Sequence, residues 1–167
     1  MRRASQISAR GHVRAMQRCA AMLRAGQDVR EYHLDAELLH EFRQQGSQYP
    51  AYGSIVAAGA NACVLHYHAN NALVRDGDLV LIDAGAEYRG YAADITRTFP
   101  ANGRFTAAQR ALHELAAARL DAAVPGHRLD EQAVDAIHLA LKKGVGFAGN
   151  RLVRVEIVFL SARPTVL

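Results

Sequence analysis

The stretch "DLVLIDAGAEYRGYAADITRTF", residues 78–99, constrains this chain more than any other. Apolar runs lie on either side of a short glycine-bearing segment, the pattern of two β-strands joined by a tight turn. A turn centred on Tyr88-Arg89 sets Asp83 directly opposite Asp94. Opposed side chains stand about 4.5–5.5 Å apart at Cβ, and like charges at that distance destabilise a sheet. Something must compensate the pair. Two facing carboxylates can share a proton, flank a glycosidic bond or hold divalent metal. "DAG" is half of an aspartic-protease signature, but Asp94 stands in "ADIT" and the symmetry such a site needs is missing. The chain has no tryptophan to stack on a sugar. Metal answers the repulsion directly, because a cation turns the unfavourable contact into coordination. A further alternative is structural: one aspartate caps a turn or pairs with Arg89 or Arg97, and a bulge breaks the register.

The remaining text surrounds this hairpin with helices. Residues 5–24 carry Ile7, Val13, Met16, Ala20 and Leu23 at helical spacing, and Ala25-Gly26-Gln27 breaks the pattern. A second helix over 28–45 bears Leu34, Leu38, Leu39 and Phe42, with Gly46 placed as its C-cap. "GSIVAAG", "ACVLHYH" and "DLVLIDAG" read as short strands of a meander, the last two separated by the turn "VRDGD". Thr106 and Gln109 form a capping box for a helix to about residue 123, Pro125-Gly126 breaks it, and a further helix runs over 130–143. The order α-α-β-β-β-β-α-α gives an α+β fold with helices on one face of an antiparallel sheet. With 167 residues, 50% of them hydrophobic, the expectation is one domain with one core.

Charge and cysteine content narrow the function classes. The net charge of +4 raises nucleic acid as a partner, but residues 1–27 hold six arginines and no acid, leaving 14 basic against 16 acidic residues elsewhere. Arg10, Arg14 and Arg18 step along one face of the first helix, as on an amphipathic surface helix. The expectation is a cytoplasmic protein that binds neither nucleic acid nor membrane, with no apolar run near the roughly 20 residues a bilayer requires. Cys19 and Cys63 form no CxxC pair and read as reduced packing residues in a helix and a strand.

The runs "YPAYGSIVAAGANACVLHY" and "VRDGDLVLIDAGAEYRGYAADITRTFPANGRFTAAQR" closely resemble the catalytic domain of bacterial aminopeptidase P, of the aminopeptidase P, prolidase and methionine aminopeptidase superfamily. The likeness spans about residues 3–119. It implies the pita-bread fold, two pseudo-symmetric halves each with helices on an antiparallel sheet, and a manganese pair that cleaves the bond before proline. By this resemblance Asp83 binds one metal, Asp94 bridges both, and His66 in "LHY" contacts substrate or stabilises the tetrahedral intermediate. Oxygen-rich ligation suits manganese. His68, two residues on, has no counterpart in the family pattern and is read as a non-ligand.

The resemblance is incomplete. The family completes its metal cage with a histidine from a motif like "SHWLG" and with glutamates from segments like "VEPGLY" and "IEDD", none of which occurs in this sequence. His113, His127, His138 and Glu156 lack such neighbours. Three of five implied ligands are therefore missing, and the expectation is a truncated domain over 1–167, its tail 144–167 unassigned, with impaired Xaa-Pro peptidase activity on proline-containing peptides. The alternative is a non-catalytic relative that binds peptides or proteins. Half of a pseudo-symmetric domain would leave a sheet edge and apolar surface open, which implies a homo-oligomer.

Overall fold

The computed structural model describes residues 1–122. The described part of one compact unit is 1–104, and that of a second starts at Phe105. In the first, α1 (Arg2–Arg24) and α2 (Glu31–Gln44) precede β1 (Ile55–Ala58), a 3-10 turn (Gly59–Cys63), β2 (Leu79–Ala84), β3 (Glu87–Tyr88), β4 (Tyr91–Ala92) and β5 (Ile95–Pro100). Strands β1, β2 and β5 form an antiparallel sheet in that order, and β3 with β4 closes the hairpin. The α+β expectation holds. The second unit contributes α3 (Ala107–Ala122), opened by the expected capping box: the Thr106 N–H donates to Gln109 Oε1 (2.9 Å) and the Gln109 N–H to Thr106 Oγ1 (3.2 Å). The helix expected over 130–143 and the tail lie outside the described residues.

Both long helices end as their glycines demand. Gly26 and Gly46 adopt φ of +68° and +89°, and the Gln27 and Ser47 N–H groups reach back to Met22 O and Phe42 O. These are Schellman closures, which satisfy the last free carbonyls of each helix. The two helices pack on each other and on one face of the sheet, where Ile7, Leu34, Leu38, Phe42, Val56, Val80, Ile82 and Phe99 make one core. Of the expected α1 stripe, Ile7 and Ala20 are buried and Met16 and Leu23 pack against the core, but Val13 does not join them. Val13 is 51% exposed, while Ala4, Ile7, Ser8, Gly11, His12, Ala15 and Cys19 face inward. Gly11 decides this: a Cβ there would meet Phe42 Cε1 at 2.6 Å, so the helices close on a small residue rather than on valine. Cys19 is a free buried thiol, and burial pushes its pKa up to about 11. Cys63 is also free but sits in the 3-10 turn rather than a strand.

The arginine stripe of α1 is held by α2. Arg14 Nε lies 2.6 Å from Glu37 Oε2 and Arg18 Nε 3.0 Å from Glu37 Oε1, while Arg3 and Arg10 both donate to Gln45 Oε1. These contacts turn the stripe toward the neighbouring helix. Among the described residues, no helix is long and apolar enough to cross a membrane.

Two further expectations are corrected. "ACVLHYH" is not a strand: it continues from the 3-10 turn into a tight turn, with His66 at φ +52° and both Val64 and Leu65 exposed. The backbone on either side of the run, at Ala58 and Ala72, and the Tyr67 hydroxyl within it bond to a buried carboxylate from α2, so an apolar run that suits a strand locally is overruled by a tertiary contact. The hairpin turn is centred on Arg89-Gly90, one residue later than expected, with Tyr88 paired to Tyr91. Arg89 and Gly90 have φ of +53° and +81°, the two positive values that a two-residue type I′ turn requires. Moving the centre by one residue moves the register by two. Asp83 therefore opposes Thr96, not Asp94.

Where the hairpin leaves β2, a Cβ on Gly85 would stand 1.6 Å from Ala93 O. No rotamer change relieves a backbone contact. Gly85→Ala is expected to cost at least about 3 kcal/mol, beyond ordinary overpacking, read as the loss in stability by urea denaturation; an unchanged midpoint would show that the strands are not so closely apposed.

Candidate metal centre

Side chains alternate along a strand, so a register shift of two leaves every residue on its original face. Val80, Ile82 and Ala84 of β2 point to the helices, and Leu81 and Asp83 to the opposite side. Asp94, two residues before the Asp83 partner Thr96, shares that opposite side and becomes a diagonal neighbour, with Cα atoms about 7–8 Å apart. The carboxylates are thus brought together without being pressed against each other.

Tyr52 joins them. Its hydroxyl lies 2.6 Å from Asp83 Oδ1 and 3.0 Å from Asp94 Oδ1, donating its one proton between two acceptors. Burial raises the Tyr52 pKa, and the hydrogen bond and charge of Asp83 raise it further, so the phenol remains a donor. Among the described residues neither carboxylate is ion-paired: Arg97 donates to Thr96 O and Arg89 lies 5.5 Å over the Tyr88 ring. The arginine-paired alternative is thereby excluded. Thr96 adds a buried Oγ1 with no hydrogen-bond partner among the described residues.

This donor set is hard oxygen throughout and fits one side of an oxygen-ligated divalent cation. It is also partial, since no group of three His, Cys, Asp or Glu side chains comes together among the described residues. His66 is exposed and shares no hydrogen bond with either aspartate. Its neighbour Tyr67 packs on Ile55, Ala57 and Leu81, so the loop lies over the same sheet face as the carboxylates. His68 is exposed. His113, in the second unit, stacks on Phe105 with ring centroids 4.8 Å apart. His127, His138 and Glu156 lie outside the described residues.

A profile of metallopeptidase family M24 matches residues 1–152. The chain belongs to metallopeptidase family M24. It is 51% identical over 128 residues to the Xaa-Pro aminopeptidase of Escherichia coli, covering 77% of this chain and 28% of that protein. The Xaa-Pro aminopeptidase of Haemophilus influenzae is 50% identical over 115 residues, which cover 69% of this chain and 25% of the relative. Among solved structures, proline aminopeptidase P II from Yersinia pestis superposes with a TM-score of 0.74 at 47% identity, over 86% of this chain and 33% of that one. A zinc-substituted Escherichia coli aminopeptidase P in complex with product gives 0.74 at 44% identity, with the same coverage. The M24 chain thus shares the aminopeptidase P fold over the matched part, and it spans about a quarter to a third of the length of these relatives.

Tyr52 and Thr96 were not singled out by sequence reasoning. Tyr52 sits in "YPAYGS" with no charged or metal-binding neighbour to mark it.

The electrostatics of the pair have a pH signature. Burial raises the Asp94 carboxyl above the usual carboxylate range; the Tyr52 hydrogen bond opposes this and the Asp83 charge adds to it. A carboxyl raised in the folded state contributes stability that is fully present below the unfolded value of about 3.8 and is lost as pH rises through the folded value. In metal-free buffer Asp94→Asn is therefore expected to melt higher than wild type at pH 7, with the difference shrinking as pH falls toward 4. A difference of the same size at both pH values would mean that the Asp94 charge does not strain the site.

Proposed function

We propose that this chain carries part of a metal-dependent Xaa-Pro aminopeptidase centre, in which Asp83 binds one divalent ion, Asp94 bridges to a second, and His66 meets the substrate. A manganese pair held there would supply the chemistry that cleaves the peptide bond before proline. The observation that carries this reading is the Tyr52-linked carboxylate pair on one sheet face of a chain about half identical to Xaa-Pro aminopeptidases. A bound cation would polarise the scissile carbonyl and activate water. The chain's own residues do the rest. Asp83 and Asp94 supply fixed negative charge, Tyr52 holds both carboxylates in place through one hydroxyl, and the loop bearing His66 covers the same side of the sheet.

With two carboxylates rather than a full cage, manganese binds weakly and turnover is low. Residues 1–167 act as part of a single catalytic-type domain in the cytoplasm. Two copies associate, each covering the open side of the other, and proline-containing peptides are the substrates.

Ligand that binds only the folded state stabilises it by RT ln(1 + [L]/Kd), about 1.4 kcal/mol at ten times Kd. Millimolar manganese is therefore expected to raise the melting temperature of wild type by a few degrees and to leave Asp94→Ala unmoved, with calcium as the control for charge screening. Release of the N-terminal residue from an Xaa-Pro peptide should require manganese and disappear in Asp94→Ala. Manganese without effect on either the melting curve or peptide hydrolysis would sink the reading.

A further inference from the structure

Glu31, the first residue of α2, has no exposed surface. Its carboxylate accepts four hydrogen bonds. Oε1 takes the Ala58 N–H (2.8 Å) and Asn61 Nδ2 (3.1 Å), and Oε2 takes the Tyr67 hydroxyl (2.8 Å) and the Ala72 N–H (2.9 Å). The Glu31 N–H in turn donates to Ala72 O at 3.0 Å. One donor is the last residue of β1 and the other three belong to the 59–72 loop. Asn61 Nδ2 also donates to Tyr67 Oη at 3.1 Å, so the two sides of the loop meet at the same carboxylate.

Such a group is costly to bury unless fully satisfied, and hydrogen bonds to a charge are stronger than those between neutral groups. The convergence is more than a helix end requires. Between Asn61 and Tyr67 stands His66, an exposed residue at φ +52°. A non-glycine residue in that region is strained and persists only where its surroundings over-determine it. Among the described residues His66 makes no hydrogen bond or ion pair that would hold it there, whereas Asn61 before it and Tyr67 after it are fixed to Glu31. Next to it Val64 and Leu65 are 54% and 46% exposed, in a loop whose Ala62 and Tyr67 pack on the sheet face that carries Asp83 and Asp94.

We propose that Glu31 is the positioning residue for His66: a buried carboxylate on α2 that locks the 59–72 loop so that His66, Val64 and Leu65 are presented to a peptide on the metal side of the sheet. The locking of the loop stands on the hydrogen bonds alone. Its functional consequence rests on the reading of His66 given above. Glu31→Gln keeps the shape but places an NH2 donor against groups that themselves donate, so at least one contact is lost.

Amide hydrogen exchange by NMR on the full chain tests this. The Val64 N–H bonds Asn61 O at 2.9 Å and does not touch Glu31. In Glu31→Gln it is expected to exchange at least tenfold faster, and the His66 ring signals to shift, while amides of α1, β2 and β5 keep wild-type protection. Tyr67→Phe removes one donor of four and should give a smaller rise, and it carries the test alone if Glu31→Gln fails to fold. For an Xaa-Pro tripeptide, Glu31→Gln and His66→Ala should each weaken binding about tenfold, with the double variant no weaker than His66→Ala. Unchanged Val64 exchange overturns the inference, as does protection lost equally in every element or a fully additive double variant. Should the tripeptide bind no variant and not the wild type, the proposed function falls, and the exchange pattern alone decides the role of Glu31.

Discussion

Between Gly85 and Ala93 the two long strands approach so closely that a single methyl group on residue 85 would stand 1.6 Å from a carbonyl oxygen. This close approach lets the hairpin run from β2 through the Arg89-Gly90 turn to β5 as one ribbon. The Ala51 N–H donates to Gly85 O at 2.8 Å, which ties the segment bearing Tyr52 to the same place. Register, the shared face of Asp83 and Asp94, and the reach of the Tyr52 hydroxyl all depend on that contact. The glycine of "DAG" serves the carboxylates because it has no side chain of its own.

The sheet divides the first unit into two chemistries. Its helix-facing side is apolar and closely packed, with α1 and α2 joined by a glycine contact at Gly11 and Phe42. Its other side has, among the described residues, a small apolar cluster of Ile55, Ala57 and Leu81 with Ala62 and Tyr67 packed on it, and next to it the oxygen groups of Asp83, Asp94, Tyr52 and Thr96. Polar groups gathered at the edge of so little apolar cover suit a place where something else binds. The Thr96 hydroxyl has no hydrogen-bond partner among the described residues, and the Asp94 carboxyl beside it is raised, the kind of perturbation that gathers at functional sites.

Glu31 shows the opposite use of a buried carboxylate. All four of its contacts are made within the protein, and it gives a loop without regular structure one conformation. The loop can therefore hold an exposed histidine at positive φ without a strand beneath it. Glu31 is fully buried and its donors are complete, whereas Asp83 and Asp94 are half-buried and one phenol serves both.

Much of this was legible in the residues themselves. Helix ends at Gly26 and Gly46, the Thr106–Gln109 capping box, the hairpin, and the shared face of the two aspartates follow from local backbone rules and the two-residue period of a strand, which survive an error in the turn position. The family, too, could be read from "IDAG" and "DITRTF". What the sequence could not carry was decided by contacts between distant segments. Val13 lost its place in the core because Gly11 admits Phe42. "ACVLHYH" failed as a strand because Glu31, 27 to 41 residues away from its partners along the chain, captured the backbone and side-chain donors around it. Tyr52 reached the carboxylates from a segment 31 and 42 residues away. Local patterns fix which way a side chain points along its own element; only packing fixes which groups, far apart in the chain, come within the few ångströms where a hydrogen bond or a charge acts.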